Sequence, residues 1–94
     1  MHDLTGFQRD LLYVVAGLGE PKGLAIKEEL DEYHASEINH GRLYPNLDTL
    51  VEKGLLDKGK KDDRTNEYTV TNRGQDELEA RQEWEDQLIQ DIFG

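Results

Sequence analysis

The sequence contains no cysteine, which excludes disulfide bonds, thiolate metal sites and a thiol redox sensor within the chain. It has only two prolines, and aromatic residues make up 7% of it. No apolar run approaches the roughly 20 residues that a membrane-spanning helix needs, and the stretch MHDLTGFQRD lacks the basic-then-apolar layout of a signal peptide. These absences predict a soluble protein of a reducing cytoplasm.

Basic residues are also scarce, because 21 Asp and Glu stand against 11 Lys and Arg and give a net charge of -10. This acidic balance argues at first against a nucleic-acid-binding function, since phosphate contacts usually need a basic surface. The acid is concentrated at the two ends of the chain, however, and residues 53–64 carry five bases and three acids. An exterior this acidic is typical of proteins adapted to molar salt. There the Debye length is about 3 Å, so the charges of distant acidic residues would be screened from DNA.

The 94 residues suffice for one compact domain with one modest core. Four stretches have the 3.6-residue apolar spacing that predicts helices, at about 5–18, 22–33, 39–53 and 72–93. Thr5 with Gln8 forms a capping-box pattern for the first helix, and Thr71 is the predicted cap of the last. Before Thr71 the period shortens towards two, which predicts a β-hairpin from the segments 55–61 and 66–71.

Two details within the helices can be checked against coordinates. The second helix is expected to bury Leu24, Ile26 and Leu30, with Tyr33 as a further candidate. Pro45 lies inside the third helix, where it removes one backbone donor and should bend or tighten the first turns.

This order of elements predicts a mainly α fold with a small β-hairpin, namely a winged helix-turn-helix with an added C-terminal helix. In that design the third helix enters the major groove, and the hairpin reaches the backbone or the minor groove beside it. The candidate base-reading residues on the third helix are Asn39, His40, Arg42, Tyr44 and Asn46. The candidate contacts from the wing and to the DNA backbone are Lys53, Lys58, Lys60, Lys61 and Arg64.

Each of these sets also has a simpler interpretation. The polar side of the third helix could be solvated surface, and Tyr44 could belong to the core. The basic cluster of the hairpin could serve only to protect an exposed strand edge. The histidines His2, His34 and His40 match no common zinc spacing, and no nucleophile with a base appears, so neither a metal site nor an enzyme is expected.

The last helix carries an apolar stripe made of Leu78, Trp84, Leu88, Ile89, Ile92 and Phe93. These side chains could pack on their own domain. A helix of 20 residues spans about 30 Å, however, which exceeds the core of so small a domain. We therefore predict that residues 1–71 form the DNA-binding domain and residues 72–94 a dimerisation helix within the same compact unit.

A recurring pattern runs from about residue 20 to 80, and its positions are Gly41, Leu43, Tyr44, Pro45, Leu47, Leu50, Gly54, Thr71 and Gly74. In these residues the stretch resembles the PadR family of transcriptional regulators. With its acidic composition, the chain is most similar to the PadR-like regulators of haloarchaea. The resemblance implies a homodimeric repressor or activator that binds a pseudo-palindromic operator, without a cofactor, in the stress (oxidative) response of a halophile.

Two further consequences follow from the resemblance. The single C-terminal helix is shorter than the multi-helix domain of other members, so their small-ligand pocket is expected to be missing. Without cysteine, any response to an oxidant needs a route other than thiol chemistry. The alternative function from another class is a winged-helix protein-interaction module, whose acidic exterior meets a basic partner and which never contacts DNA.

Overall fold

A computed structural model describes residues 3–93, apart from the side chain of Phe93. The elements are α1 (Gly6–Leu18), α2 (Gly23–His34), α3 (His40–Glu52), β1 (Leu56–Lys60), β2 (Asn66–Val70) and α4 (Asn72–Phe93). This order confirms the predicted fold, a mainly α chain with one antiparallel hairpin. In the described part of the chain no helix is long and apolar enough to cross a membrane.

Helix α1 begins at the capping box that the sequence predicts. The backbone N–H of Gln8 donates to the hydroxyl oxygen of Thr5 at 3.1 Å, and the backbone N–H of Thr5 donates to Gln8 Oε1 at 3.1 Å. These bonds satisfy two donors that a helix start leaves without partners. The helix then buries Leu11, Leu12 and Val15 in the centre of the core.

Helix α2 corrects part of the sequence analysis. Ile26 and Leu30 are buried as expected, but Leu24 is 50% exposed and Tyr33 is 76% exposed. Lys27 instead occupies the inner face, only 7% exposed, and its ammonium reaches Asp31 Oδ2 at 2.7 Å. A lysine stem can pack like an apolar side chain when its charge finds a partner at the rim, so residue type alone misidentifies this stripe.

Asp31 also links α2 to the turn that precedes α3. Its Oδ1 accepts a hydrogen bond from the backbone N–H of Ile38 at 2.6 Å. The Lys27 ammonium, together with this N–H, lowers the pKa of Asp31, because both partners favour the charged carboxylate. Ile38 is buried beneath the turn. This connection fixes how α3 leaves α2.

Helix α3 begins at Asn39, whose side-chain oxygen accepts the backbone N–H of Gly41 at 2.6 Å. The carbonyl oxygen of Asn39 accepts from both Arg42 and Leu43 at 3.0 Å, so the first turn is tightened ahead of Pro45. The helix nevertheless continues to Glu52. Leu43, Leu47 and Leu50 are completely buried, as their spacing predicts.

The hairpin pairs β1 with β2 in antiparallel register, with Leu56 opposite Val70 and Lys58 opposite Tyr68. Tyr68 is buried against the core, and the N–H of Tyr68 donates to the carbonyl of Pro21 at 2.9 Å. The hairpin is thereby attached to the start of α2. Because side chains alternate across a strand, Lys58 and Lys60 share the face of Tyr68.

Helix α4 starts against the first strand of the hairpin. The hydroxyl of Thr71 accepts from the N–H of Gly74 at 3.0 Å and donates to the carbonyl of Gly54 at 2.6 Å, which confirms Thr71 as the cap. A Cβ added at Gly74 would meet the backbone carbonyl of Leu55 and a methyl group of Val70. A side chain at this position is therefore incompatible with the close packing of α4 on the hairpin.

Beyond its first turns α4 extends away from the core. The longest dimension of the molecule is 49 Å and its radius of gyration is 14.0 Å, compared with about 12 Å expected for a compact chain of this length. Leu78 packs against the core, whereas Trp84, Leu88, Ile89 and Ile92 are all exposed. The projecting part of α4 therefore presents an apolar surface to solvent.

Candidate nucleic-acid interface

The N-terminal half of α3 projects its polar residues into solvent. Asn39, His40, Gly41, Arg42 and Pro45 are all exposed. Two of these exposed positions, Gly41 and Pro45, carry no long side chain, so the helix backbone is accessible there. This end of α3 has room to enter a groove.

Arg42 is placed on the side of α3 that faces α1. Its guanidinium carbon lies 4.0 Å from the centre of the Phe7 ring, the geometry of a cation–π contact. Among the described residues, the Arg42 guanidinium makes no hydrogen bond or ion pair, so its N–H groups remain available. Arg42 is thus exposed and in contact with the Phe7 ring.

Asn46 lies one turn further along and is half-buried. Its Oδ1 accepts from Gln8 Nε2 at 3.0 Å, and its Nδ2 donates to the carbonyl of Arg42 at 2.7 Å. Each end of the amide therefore makes one bond within the chain, which leaves one N–H and one acceptor lone pair. These bonds connect Asn46 to α1 and to the preceding turn of α3.

His40 and Tyr44 lie on the opposite side of α3, towards the hairpin. Their ring centres are 5.7 Å apart, and Tyr44 is half-buried and packs against the core. A Cβ added at Gly23 would come within 2.7 Å of the Tyr44 hydroxyl oxygen. The ring of Tyr44 therefore packs against the core, as the simpler interpretation expects, while its hydroxyl lies beside the start of α2.

We call residues 56–70 the wing, and its tip carries free positive charge. Among the described residues no acidic oxygen lies within 4.0 Å of the charged nitrogens of Lys60, Lys61 or Arg64, all of which are exposed. Asp62 instead accepts the backbone N–H of Arg64 at 2.8 Å, and this bond lowers the pKa of Asp62. Of the two acids in the tip, Asp62 is used to close the turn, whereas Asp63 is exposed.

The other two candidate lysines are ion-paired. Lys58 lies 3.3 Å from Asp48 Oδ1 on α3, and Lys53 lies 3.2 Å from Asp3 Oδ2. The Lys53 ammonium lowers the pKa of Asp3. Lys53 stands at the far end of α3, beside the N-terminal segment, so the structure does not bring it together with the cations of the wing tip.

The two described histidines, His34 and His40, are not grouped with other side chains that could bind a metal. His34 Nε2 is 3.9 Å from Asp10 Oδ2, and His40 is beside Tyr44. Within residues 3–93 no three His, Asp or Glu side chains are grouped in a way that could hold a metal ion. His2 lies outside the described residues.

The model of the PadR-like family of transcriptional regulators matches residues 11–80. The chain belongs to this family. No curated protein matches it significantly. The regulator class and the winged-helix fold that the sequence predicts are thereby confirmed, and the family consists of transcription regulators and not of enzymes.

Solved structures support the same assignment for this PadR-family chain. RosR of H. salinarum, in crystals grown from NaBr, is 53% identical with a TM-score of 0.88, over 93% of this chain and 78% of RosR. The hsRosR-S1 complex is 52% identical with a TM-score of 0.90, over 94% of this chain and 78% of that one. F93 from STIV, a winged-helix DNA-binding protein, is 18% identical with a TM-score of 0.73, over 93% of this chain and 96% of F93. At this identity the similarity shows the fold alone.

Sequence analysis missed two α1 residues that organise the α3 surface of this PadR-family protein. Phe7 supports Arg42, and Gln8 engages Asn46. The sequence shows Phe7 only as an apolar position of the first helix and Gln8 only as a capping residue. Their second roles depend on how α1 crosses α3, about 35 to 38 residues away in sequence, and local spacing carries no signal for that.

Proposed function

We propose that this regulator binds DNA sequence-specifically, with α3 in the major groove and the wing on the adjoining backbone or minor groove. The observation that carries the proposal is the exposed end of α3, where Asn39, His40 and Arg42 remain uncovered by the described chain. In helix-turn-helix proteins the N-terminal residues of this helix are those that reach base edges.

Arg42 is the principal candidate for reading a base. An arginine can donate two hydrogen bonds to the O6 and N7 atoms of guanine, and this needs the guanidinium edge to point outward. The contact with Phe7 restricts the guanidinium before DNA arrives. Less side-chain freedom is then lost on binding. Asn39 and His40 are neighbouring candidates, whereas Asn46 supports the α3 surface through Gln8.

Backbone phosphates are the proposed partners of the wing. Lys60, Lys61 and Arg64 have no competing ion pair among the described residues, so no existing contact is lost when they meet a phosphate. Lys58 and Lys53 would first have to leave Asp48 and Asp3. We therefore expect the tip residues to contribute more than these two lysines.

The functional unit is proposed to be a homodimer joined through α4. The exposed fractions of Trp84, Leu88, Ile89 and Ile92 run from 41% to 73%, which leaves a contiguous apolar stripe on a helix that projects from the core. Such patches commonly mark protein interfaces. Phe93 extends the stripe in sequence, although its side chain lies outside the described residues. A two-fold dimer would place two α3 helices on half-sites about one DNA turn apart, on a pseudo-palindromic operator.

The net charge of -10 supports action in the salt-rich cytoplasm of a halophile. RosR, the relative at 53% identity, comes from H. salinarum. We further propose a role in the response to stress, including oxidative stress. A signal would have to act without a thiol, because the sequence has no cysteine.

The function can be tested with fluorescence anisotropy in molar KCl, using genomic fragments selected by the protein and scrambled duplexes of the same length. Arg42→Gln should reduce the preference for selected over scrambled DNA by about 1–3 kcal/mol per half-site. Lys61→Gln should weaken both duplexes alike and lower the salt dependence by about one unit of slope. Arg73→Gln, an exposed cation at the start of α4, is the control and should change neither.

Equal affinity of the wild-type protein for selected and scrambled duplexes at every salt level would reject sequence-specific binding. In that event the interaction-module alternative can be examined with the charge reversals Arg42→Glu and Lys61→Glu. These should leave binding to a basic protein partner intact.

A further inference from the structure

The turn between α2 and α3, residues 35–39, has little of its own to define its shape. It contains no glycine or proline. Ala35 nevertheless adopts the left-handed conformation, with φ of 52°, which a residue with a Cβ rarely adopts. Helix α3 begins directly after the turn, at His40. The contacts that hold this turn therefore also determine where α3 starts.

One residue of α2, Asp31, holds the turn at two points. Its backbone carbonyl accepts from the N–H of Ser36 at 3.2 Å, and its carboxylate Oδ1 accepts from the N–H of Ile38 at 2.6 Å. A hydrogen bond to a charged carboxylate belongs to the stronger class. Ile38 directly precedes Asn39, the cap of α3. The carboxylate is thus attached one residue before the first candidate base-reading side chain.

Lys27 keeps the Asp31 carboxylate in the orientation that this bond needs. Its Nζ lies 2.7 Å from Oδ2, the oxygen not bonded to the turn, and 3.5 Å from Glu37 Oε1 in the turn itself. The side chain of Lys27 is 8% exposed, whereas the ion-paired side chains of Lys53 and Lys58 are 36% and 37% exposed. Salt screens a partly buried pair much less than exposed ones. The pair of Lys27 with Asp31 should therefore persist in molar salt.

The first turn of α3 has two separate supports. The pKa of Asp31 is lowered by Lys27, by the backbone N–H of the turn and, least of the three, by His40, because each favours the charged carboxylate. His40 therefore lies within electrostatic reach of Asp31. Arg42 is supported from another side, since its guanidinium contacts the Phe7 ring of α1. A change at Asp31 should thus move the start of α3 and leave Arg42 in place.

We propose that Asp31 is a positioning residue for base recognition, which acts through the N–H of Ile38 and is itself held by Lys27. It determines where Asn39 and His40 stand at the groove, without touching DNA. The inference rests on the proposed DNA-binding function and adds a determinant of specificity on α2, outside α3 and the wing. Because the ion pair is partly buried, its contribution to base preference should be the same at every molar salt concentration.

The test combines Asp31→Ala with Gly17→Ala, which offsets lost stability because nothing lies within 4 Å of a Cβ at Gly17 in α1. Anisotropy with single-base variants of a selected duplex gives the base profile. Asn39→Ala and His40→Ala identify the base pairs read by those residues. There the double variant should lose about tenfold in preference, the size of one impaired base contact. The preference at the base pair that Arg42→Gln identifies should be retained.

Glu32→Ala is the matched control for the loss of charge. It removes an acid from the next position of α2, where the side chain is exposed and makes no hydrogen bond or ion pair with the described residues. The base profile should not change. Any rise in affinity for all duplexes alike measures the effect of removing one negative charge, and Asp31→Ala is compared with that value.

Lys27→Met with Asp31→Asn tests whether the acceptor matters. This pair of substitutions removes both charges, approximately keeps the two side-chain shapes and retains an Oδ1 acceptor for the N–H of Ile38. It should retain more of the base preference than Asp31→Ala does. A loss as large as that of Asp31→Ala would overturn the proposal.

Spectra of ¹H–¹⁵N pairs in the free protein supply a measurement that needs no DNA. The amide proton of Ile38, which is bonded to a carboxylate at 2.6 Å, should resonate at low field and move upfield in Asp31→Ala. The amides of residues 39–41 should move with it, whereas Glu32→Ala should leave them in place. A structural role confined to stability would move none of the amides of α3.

The outcomes distinguish the positioning role from the proposed function. If Asp31→Ala with Gly17→Ala keeps the wild-type base profile while Arg42→Gln changes it, the positioning role is overturned and DNA reading stands. If the amides of residues 39–41 stay in place in Asp31→Ala, the start of α3 does not depend on Asp31 and the proposal is wrong. If the wild type prefers no duplex, the proposed function fails and the role in base recognition fails with it.

Discussion

At the scale of single residues, the α3 surface divides into side chains that are free and side chains that are already engaged. Arg42 is exposed and oriented by Phe7, whereas both ends of the Asn46 amide are bonded within the chain. The two residues are four positions apart on one side of the helix. Spacing alone makes them equivalent candidates, and only the path of α1 separates them.

Asn46→Ala should therefore affect stability and not base preference. The variant loses the bond from Gln8 at 3.0 Å, and a net loss of about 1 kcal/mol in the free energy of unfolding is expected. Urea unfolding measures this change, and anisotropy with single-base variants of a selected duplex measures the preference. Combining it with Gln8→Ala should show coupling of about 0.5–1 kcal/mol. A changed preference at one base pair would instead make Asn46 a reading residue.

At the scale of elements, the attachment of α4 to the hairpin depends on Gly74. Gly74→Ala would gain up to about 1 kcal/mol from helix propensity, but the new Cβ meets the backbone carbonyl of Leu55, which has little freedom to move. Strain of about 1–3 kcal/mol should exceed that gain. We expect a net loss in the free energy of unfolding, measured by urea or thermal denaturation.

Gly17→Ala supplies the matched control for that experiment. Gly17 lies in α1, and nothing lies within 4 Å of where its Cβ would be. The same substitution should there raise the free energy of unfolding by about 0.5–1 kcal/mol. Equal effects at both positions would show that α4 does not pack on the hairpin as closely as the structure describes.

Elements were predictable from the sequence where local signals determine them. The capping pairs Thr5 with Gln8 and Thr71 with Gly74 lie three residues apart, and leucine spacing determines the buried side of α3. The inner face of α2 was not predictable in the same way. Lys27 can be buried there because Asp31 and Glu37 neutralise its charge, whereas Leu24 is half exposed.

Features that join distant parts of the chain could not be derived from spacing. The pairs Lys53 with Asp3 and Lys58 with Asp48 connect residues 50 and 10 positions apart. Both pairs involve lysines that looked free in the sequence.

At the scale of the whole molecule, the exposed stripe of α4 predicts a dimer that a double truncation should disrupt. Trp84→Ala with Leu88→Ala should weaken association by about thirty-fold or more for each central side chain. Light scattering should then report dimers for the wild type and monomers for the variant. Stability of the monomer should hardly change, because both residues are at least half exposed.

The matched control for the dimer lies on the opposite side of the same helix. Glu83→Ala with Gln90→Ala removes two exposed polar side chains of α4 and should leave the dimer intact. Affinity for a selected duplex should fall sharply only in the Trp84 and Leu88 variant, because each monomer then retains a single half-site contact. A Trp84 and Leu88 variant that remains dimeric would move the interface away from this stripe. A dimer lost equally in the control would attribute association to the helix as a whole.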